Sequence, residues 1–89
     1  MTKTKILFIG CVKFSKRSLE KLIKLGANIV GVCTRESSDF NADFTNLQKV
    51  CKRNNLIYRY ETDINSDENI KWIKNLNPDI IFCFGWSSL

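Results

Sequence analysis

Four short apolar runs are spaced along the chain, with staggered apolar stripes between them. Ile6, Leu7, Phe8 and Ile9 form an unbroken run closed by Gly10, the pattern of a strand buried on both faces. The period then changes. Leu19, Leu22 and Ile23 share one side of a predicted helix, with Lys13, Lys16, Arg17, Lys21 and Lys24 mostly elsewhere. Ser15 is read as its N-cap, Phe14 and Leu19 as a hydrophobic staple, and Gly26 as its stop.

A second, β-branched run follows with Ile29, Val30 and Val32. Gly31 inside it leaves room for a helix or a neighbouring backbone to come close. Residues 35–42 are polar and aperiodic, a loop. Asp43 is the predicted cap of a second helix carrying Phe44, Leu47, Val50 and Cys51, which Asn54 and Asn55 can close. Residues 56–60 form a more polar third strand, and Arg59 within it suits a sheet edge. Ser66 caps a third helix with Asp67 and Glu68 in its first turn and Lys71 and Lys74 later, matching the helix dipole. Ile70 and Ile73 are read as its inward face, with Trp72 off that line. After Pro78 comes the last run, Ile80, Ile81, Phe82, Cys83 and Phe84, followed by Gly85, Trp86, Ser87, Ser88 and Leu89.

Strands alternating with helices through right-handed crossovers give a parallel sheet with helices on both faces. Residues 1–89 therefore predict a single α/β domain, a three-layer Rossmann-like sheet of four strands in the order 3-2-1-4, half of a doubly wound fold. In that order the chain reverses direction between strands one and four. A ligand crevice is expected there, between the turn of Gly10, Cys11 and Val12 and the turn of Phe84, Gly85 and Trp86.

Composition narrows the class. Of the 89 residues 44% are hydrophobic and 26% charged, ordinary for a globular domain. No apolar run approaches the ~20 residues of a membrane helix, and the start lacks a signal-peptide pattern, so a cytoplasmic protein is expected. Cys11, Cys33, Cys51 and Cys83 show no metal-ligand spacing and the chain has no histidine, so no metal is expected. The net charge of +5 is concentrated on the first helix. It reads as a solvated face before it reads as a nucleic-acid surface.

Catalytic chemistry is harder to find. The turn after strand one has only the first glycine of a dinucleotide or nucleoside-triphosphate loop. Glu61, Asp63, Asp67 and Glu68 are assigned to capping and solvation at the end of the sheet away from the crevice. Asp39 and Asp43 have no base beside them. No nucleophile–base or paired-carboxylate set can be assembled, so no catalytic residue is assigned. Trp86 is the strongest functional candidate, able to stack on a flat heterocycle while backbone groups of Gly85, Ser87 and Ser88 read its edge.

The segments Lys5-Ile6-Leu7-Phe8-Ile9-Gly10, Phe14-Ser15, Ser18-Leu19-Glu20, Ile29-Val30-Gly31-Val32-Cys33-Thr34 and Leu76-Asn77-Pro78-Asp79-Ile80-Ile81-Phe82, in this order and spacing, resemble the N-terminal part of the formyltransferase family. The resemblance implies N10-formyltetrahydrofolate as donor and an amine as acceptor. It assigns Phe84, Gly85, Trp86, Ser87, Ser88 and Leu89 to the folate side, and Gly10, Cys11, Val12 and Phe14 to the substrate side. The family's catalytic Asn, His and Asp come after this strand and have no counterpart in the 89 residues. The chain is thus expected to be the N-terminal portion of a formyltransferase catalytic domain, inactive alone.

The short, acidic stretch after strand two lacks the basic insertion that methionyl-tRNA formyltransferases typically carry. A small amine acceptor, a nucleotide-linked amino sugar, is therefore favoured; nucleic acid is disfavoured, with tRNA left open. The competing expectation is a non-catalytic α/β binding or interaction module. In either case strand four would lie at an open edge, and self-association through it is expected.

Overall fold

The computed structural model describes residues 4–36 and 44–86. Strand β1 (Lys5–Ile9) leads into helix α1 (Lys13–Lys24), then β2 (Asn28–Thr34), α2 (Gln48–Arg53), β3 (Tyr58–Tyr60), α3 (Asp67–Leu76) and β4 (Ile80–Cys83). All strand pairs are parallel, and the sheet order is β3-β2-β1-β4, as the sequence predicts.

Side-chain parity sorts the core into two layers. Ile6 and Phe8 of β1 pack with Ile29, Val32, Leu19 and the α2 residues Val50 and Cys51, on the face covered by α1 and α2. Leu7 and Ile9 point to the other face, with Cys11, Cys33 and Ile64, against Trp72, Ile73 and Leu76 of α3. Leu7 and Phe8 are wholly buried, each contributing about 1.5–3 kcal/mol by leaving water. β1 is thus apolar on both faces because it is sandwiched.

Gly31 works as expected. A Cβ there would lie 2.5 Å from Leu76 Cδ1 and 3.2 Å from Trp72 Cη2, so α3 seats directly on β2. The β1–β2 register shifts between Ile6 and Leu7 just beside it. The contact also corrects the inward face of α3. Asn69 is fully buried and Trp72, Ile73 and Leu76 pack against the α3-side core, a stripe at i, i+3, i+4 and i+7, whereas Ile70 is exposed. Asn69 is tolerated inside because its Nδ2 donates to Ile64 O at 2.7 Å and its Oδ1 accepts from the Cys33 thiol at 3.7 Å.

Two helix starts differ from expectation. α1 begins at Lys13 with Val12 as N-cap, so Ser15 is its third residue rather than its cap, and Phe14 is helical and 62% exposed instead of stapled. α2 begins only at Gln48, where the backbone N–H donates to Asn46 Oδ1 at 2.9 Å. Phe44 is drawn out of the helix by an antiparallel bridge to Val12, and the Thr45 N–H donates to Cys11 O at 2.8 Å. The expected cap Asp43 lies outside the described residues. Among the described residues no helix is long and apolar enough to cross a membrane.

Replacing Asn69 with Ala would leave the Ile64 carbonyl unpaired and open a void under α3. The expected loss is about 2–4 kcal/mol, read as a lower urea midpoint with an unchanged slope.

Candidate functional site

In a parallel sheet every strand delivers its following residues to the same edge. Here Gly10 and Cys11 follow β1, Arg35 and Glu36 follow β2, Glu61 and Thr62 follow β3, and Phe84 and Gly85 follow β4. β1 lies between β2 and β4, so the chain leaves β1 toward one side and later returns on the other. That is the topological switch point.

The two turns at this point touch. The Cys11 N–H donates to Gly85 O at 3.3 Å, and the Cys11 thiol donates to the same carbonyl at 3.4 Å. The Ser15 hydroxyl donates to Phe84 O and accepts from the Val12 N–H at 3.2 Å. A Cβ on Gly10 would lie 2.5 Å from Phe84 O and from Ser15 Cβ. Gly85 adopts φ +79°, and a side chain there would run into Val12 Cγ2. Both glycines are therefore required by close backbone approach, and Gly85 also by its left-handed conformation. The Phe14 ring meets Phe84 edge-on, with centroids 5.9 Å apart. Of the residues singled out by sequence, Gly10, Cys11, Val12, Phe14, Phe84 and Gly85 thus converge. Ser87, Ser88 and Leu89 lie outside the described residues.

Trp86 does not offer an open stacking face. It is only 8% exposed and packs in the α3-side core with Leu7, Ile9, Cys11, Cys33 and Ile64. The Arg35 guanidinium lies 4.9 Å from the centroid of its ring, a cation–π contact. Burying so large an apolar ring outweighs leaving it in water, although its Nε1 finds no hydrogen-bond partner among the described residues.

The carboxylates are also closer to this edge than the sequence suggested. Glu61 follows β3 directly, its N–H donating to Thr34 O at 2.9 Å. Its side chain accepts from the Thr62 and Asp63 backbone N–H groups, from the Ser66 hydroxyl and from Arg59. Burial works against its ionisation. The hydrogen bonds from Asp63, Ser66, Thr62 and Arg59 outweigh that and hold it below its usual value. With Arg35, Glu36, Tyr60 and Thr62 it lines a hollow of about 260 Å³. Sequence reasoning missed this hollow, whose signal is the charged pair directly after strand two and Glu61 directly after strand three. Glu61 bonds local backbone amides and the Ser66 hydroxyl, in line with the expected capping, but it is largely buried and paired with Arg59 rather than solvated.

The thiols are not poised for nucleophilic work. Burial pushes Cys11 up, and burial with the Glu61 carboxylate nearby pushes Cys33 up to about 12. Among the described residues no group of three His, Cys, Asp or Glu could hold a metal. Basic residues gather instead around two adjoining hollows of about 320 and 360 Å³ between α1 and α2, where Lys13, Lys16, Arg17, Lys49 and Arg53 meet Thr45. Among the described residues none of these five cations forms a salt bridge.

Ser15→Ala would cut the tie between the two turns while leaving α1 a better helix former. The expected cost is about 1–3 kcal/mol, with the loss of protection of the Val12 amide in hydrogen exchange exceeding that of the sheet.

No protein-family model matches the chain. Methionyl-tRNA formyltransferase of Thermotoga sp. (strain RQ2) is 26% identical over 89 aligned residues, 96% of this chain and 28% of that protein. The methionyl-tRNA formyltransferase of Thermotoga maritima gives the same figures. Indole-3-glycerol phosphate synthase of Acetivibrio thermocellus is 31% identical over 68 residues, 74% of this chain and 26% of that protein. The chain spans about a quarter of the length of these curated relatives. The two longer matches support a formyltransferase-like relationship over most of the chain.

Proposed function

We propose that the chain is the folate-side front portion of a formyltransferase that moves the formyl group of N10-formyltetrahydrofolate to an amine. In that transfer the amine nitrogen bonds the formyl carbon and loses a proton, and N10 is the leaving group. The observation that carries this reading is the meeting of the Gly10–Cys11 and Phe84–Gly85 turns at the switch point, within a chain aligned almost end to end with two formyltransferases. The donor would lie against Phe84, Gly85 and Trp86 and the following Ser87, Ser88 and Leu89. The acceptor would approach Gly10, Cys11, Val12 and Phe14. Because Trp86 is buried beneath Arg35, its part in this reading is to support the turn from below. The ligand then reads the backbone of Phe84 and Gly85. No group among these residues is assigned proton transfer, so the 89 residues alone are inactive in this reading, and the protein is cytoplasmic.

A phosphate-bearing acceptor suits the five cations around α1 and α2, which outnumber Glu20 in the same hollows and form no salt bridge among the described residues. Two such acceptors are in view. The short acidic stretch after β2 favours a nucleotide-linked amino sugar, because like charges repel a tRNA backbone. The names of the two relatives favour methionyl-tRNA. We take the amino sugar as the acceptor.

In a Trp72→Phe background, titration with 5-formyltetrahydrofolate should give a saturable change in Trp86 emission, and a nucleoside-diphosphate amino sugar should bind while tRNA at ~150 mM salt does not. An emission unchanged at millimolar folate would overturn the donor site. Binding of tRNA without the sugar nucleotide would overturn the acceptor and leave the donor site standing.

A further inference from the structure

Two short cationic stripes flank a groove on the α1–α2 side of the sheet. Lys13, Lys16 and Arg17 stand at i, i+3 and i+4 on α1, and Lys49 and Arg53 at i and i+4 on α2. These spacings put each set on one side of its helix. The two hollows between the helices adjoin, because Lys16 and Thr45 line both. None of the five cations forms a salt bridge among the described residues. A cluster of this kind repels itself, and an anion is its complement.

The α2 wall of the groove is held in place. Asn46 Nδ2 donates to the Tyr60 hydroxyl at 3.1 Å, and Asn46 Oδ1 accepts from the Gln48 N–H at 2.9 Å. Gln48 Nε2 donates to the Tyr58 hydroxyl at 3.0 Å, so this wall is tied to β3. The near end of the groove meets the turn after β1. There the Thr45 N–H donates to Cys11 O at 2.8 Å, and Lys13 follows Val12 directly.

The positive run is also short. Lys13 to Arg17 and Lys49 to Arg53 each span one turn of helix, about 6 Å at ~1.5 Å per residue. One turn further along α1, Glu20 lines the same hollow as Lys13, Lys16 and Arg17. A phosphate backbone continuing along α1 would meet its carboxylate, and like charges repel. A compact anion with two adjacent phosphoryl groups avoids it, with one group in each hollow.

We propose that the groove between α1 and α2 is a diphosphate-binding site in which Lys16 serves both phosphoryl groups. Glu20 makes it selective for a compact diphosphate over a nucleic-acid backbone. Only the origin of the diphosphate, the nucleotide-linked acceptor, rests on the formyltransferase reading. The sugar of that acceptor then lies toward Cys11 and Val12.

Inorganic pyrophosphate titrated into the nitrogen-15-labelled chain should shift the Lys16, Thr45 and Lys49 amides saturably, and bind more tightly than orthophosphate. Lys16→Gln, at an exposed position, should weaken pyrophosphate binding about tenfold, the scale of one charge-assisted hydrogen bond, with the urea midpoint unchanged. Glu20→Gln should leave pyrophosphate bound at least as tightly and raise the affinity for a single-stranded oligouridylate several-fold at low salt. Pyrophosphate binding no tighter than orthophosphate, or unmoved by Lys16→Gln, would overturn the site. Oligouridylate binding indifferent to Glu20→Gln would overturn the selectivity. Saturable pyrophosphate binding in a chain whose Trp86 emission ignores folate would sustain this inference and overturn the donor site; the reverse pattern would do the opposite.

Discussion

The architecture depends on one close approach, the backbone of Gly10 against the Phe84 carbonyl. β1 has a strand on either side, so the turn leaving it must pass beside the turn leaving β4. There is no space for a Cβ at position 10. Ser15 answers this crowding by turning its hydroxyl inward, away from solvent, to join the Val12 amide and the Phe84 carbonyl. The same corner draws in a third segment, since Phe44 and Thr45 pair with Val12 and Cys11. Three stretches far apart in sequence thus converge on six backbone positions.

Most of the fold was legible because it is written in local patterns. The apolar runs at β1, β2 and β4, the polar third strand and the alternation with helices led to the observed order 3-2-1-4. The misreadings occur where a distant partner outcompetes a local rule. Ser15 has the chemistry of an N-cap, yet its hydroxyl is taken by a carbonyl 69 residues away. Phe44 fits a helical stripe, yet Val12 holds it extended. The pattern puts Ile70 on the inner face of α3, yet Ile64 O and the Cys33 thiol draw Asn69 inward instead and leave Ile70 exposed. At the site, the meeting of the two turns was readable from strand order alone. The burial of Trp86 was not, because it depends on the left-handed turn at Gly85 and on Arg35 covering the ring.

Electrostatics divides the molecule along similar lines. Glu61, at the end of β3, is already engaged by two backbone amides, a hydroxyl and Arg59. The cations around α1 and α2 form no salt bridge among the described residues, and their hollows lie beside the bridge that ties Phe44 to the switch point. A donor read by backbone groups and an acceptor held by clustered positive charge is a coherent division of labour for the proposed formyl transfer. The identity of 26% with two formyltransferases agrees with it at the level of relationship.

The contact between the two turns can be observed directly in solution. A nuclear Overhauser effect between the Val12 γ-methyl protons and the Gly85 α-protons, in isotopically labelled protein at neutral pH, is the expected result. Its absence, with the Cys11 and Val12 amides exchanging as fast as an unstructured chain, would place the two turns apart and contradict the account at its foundation.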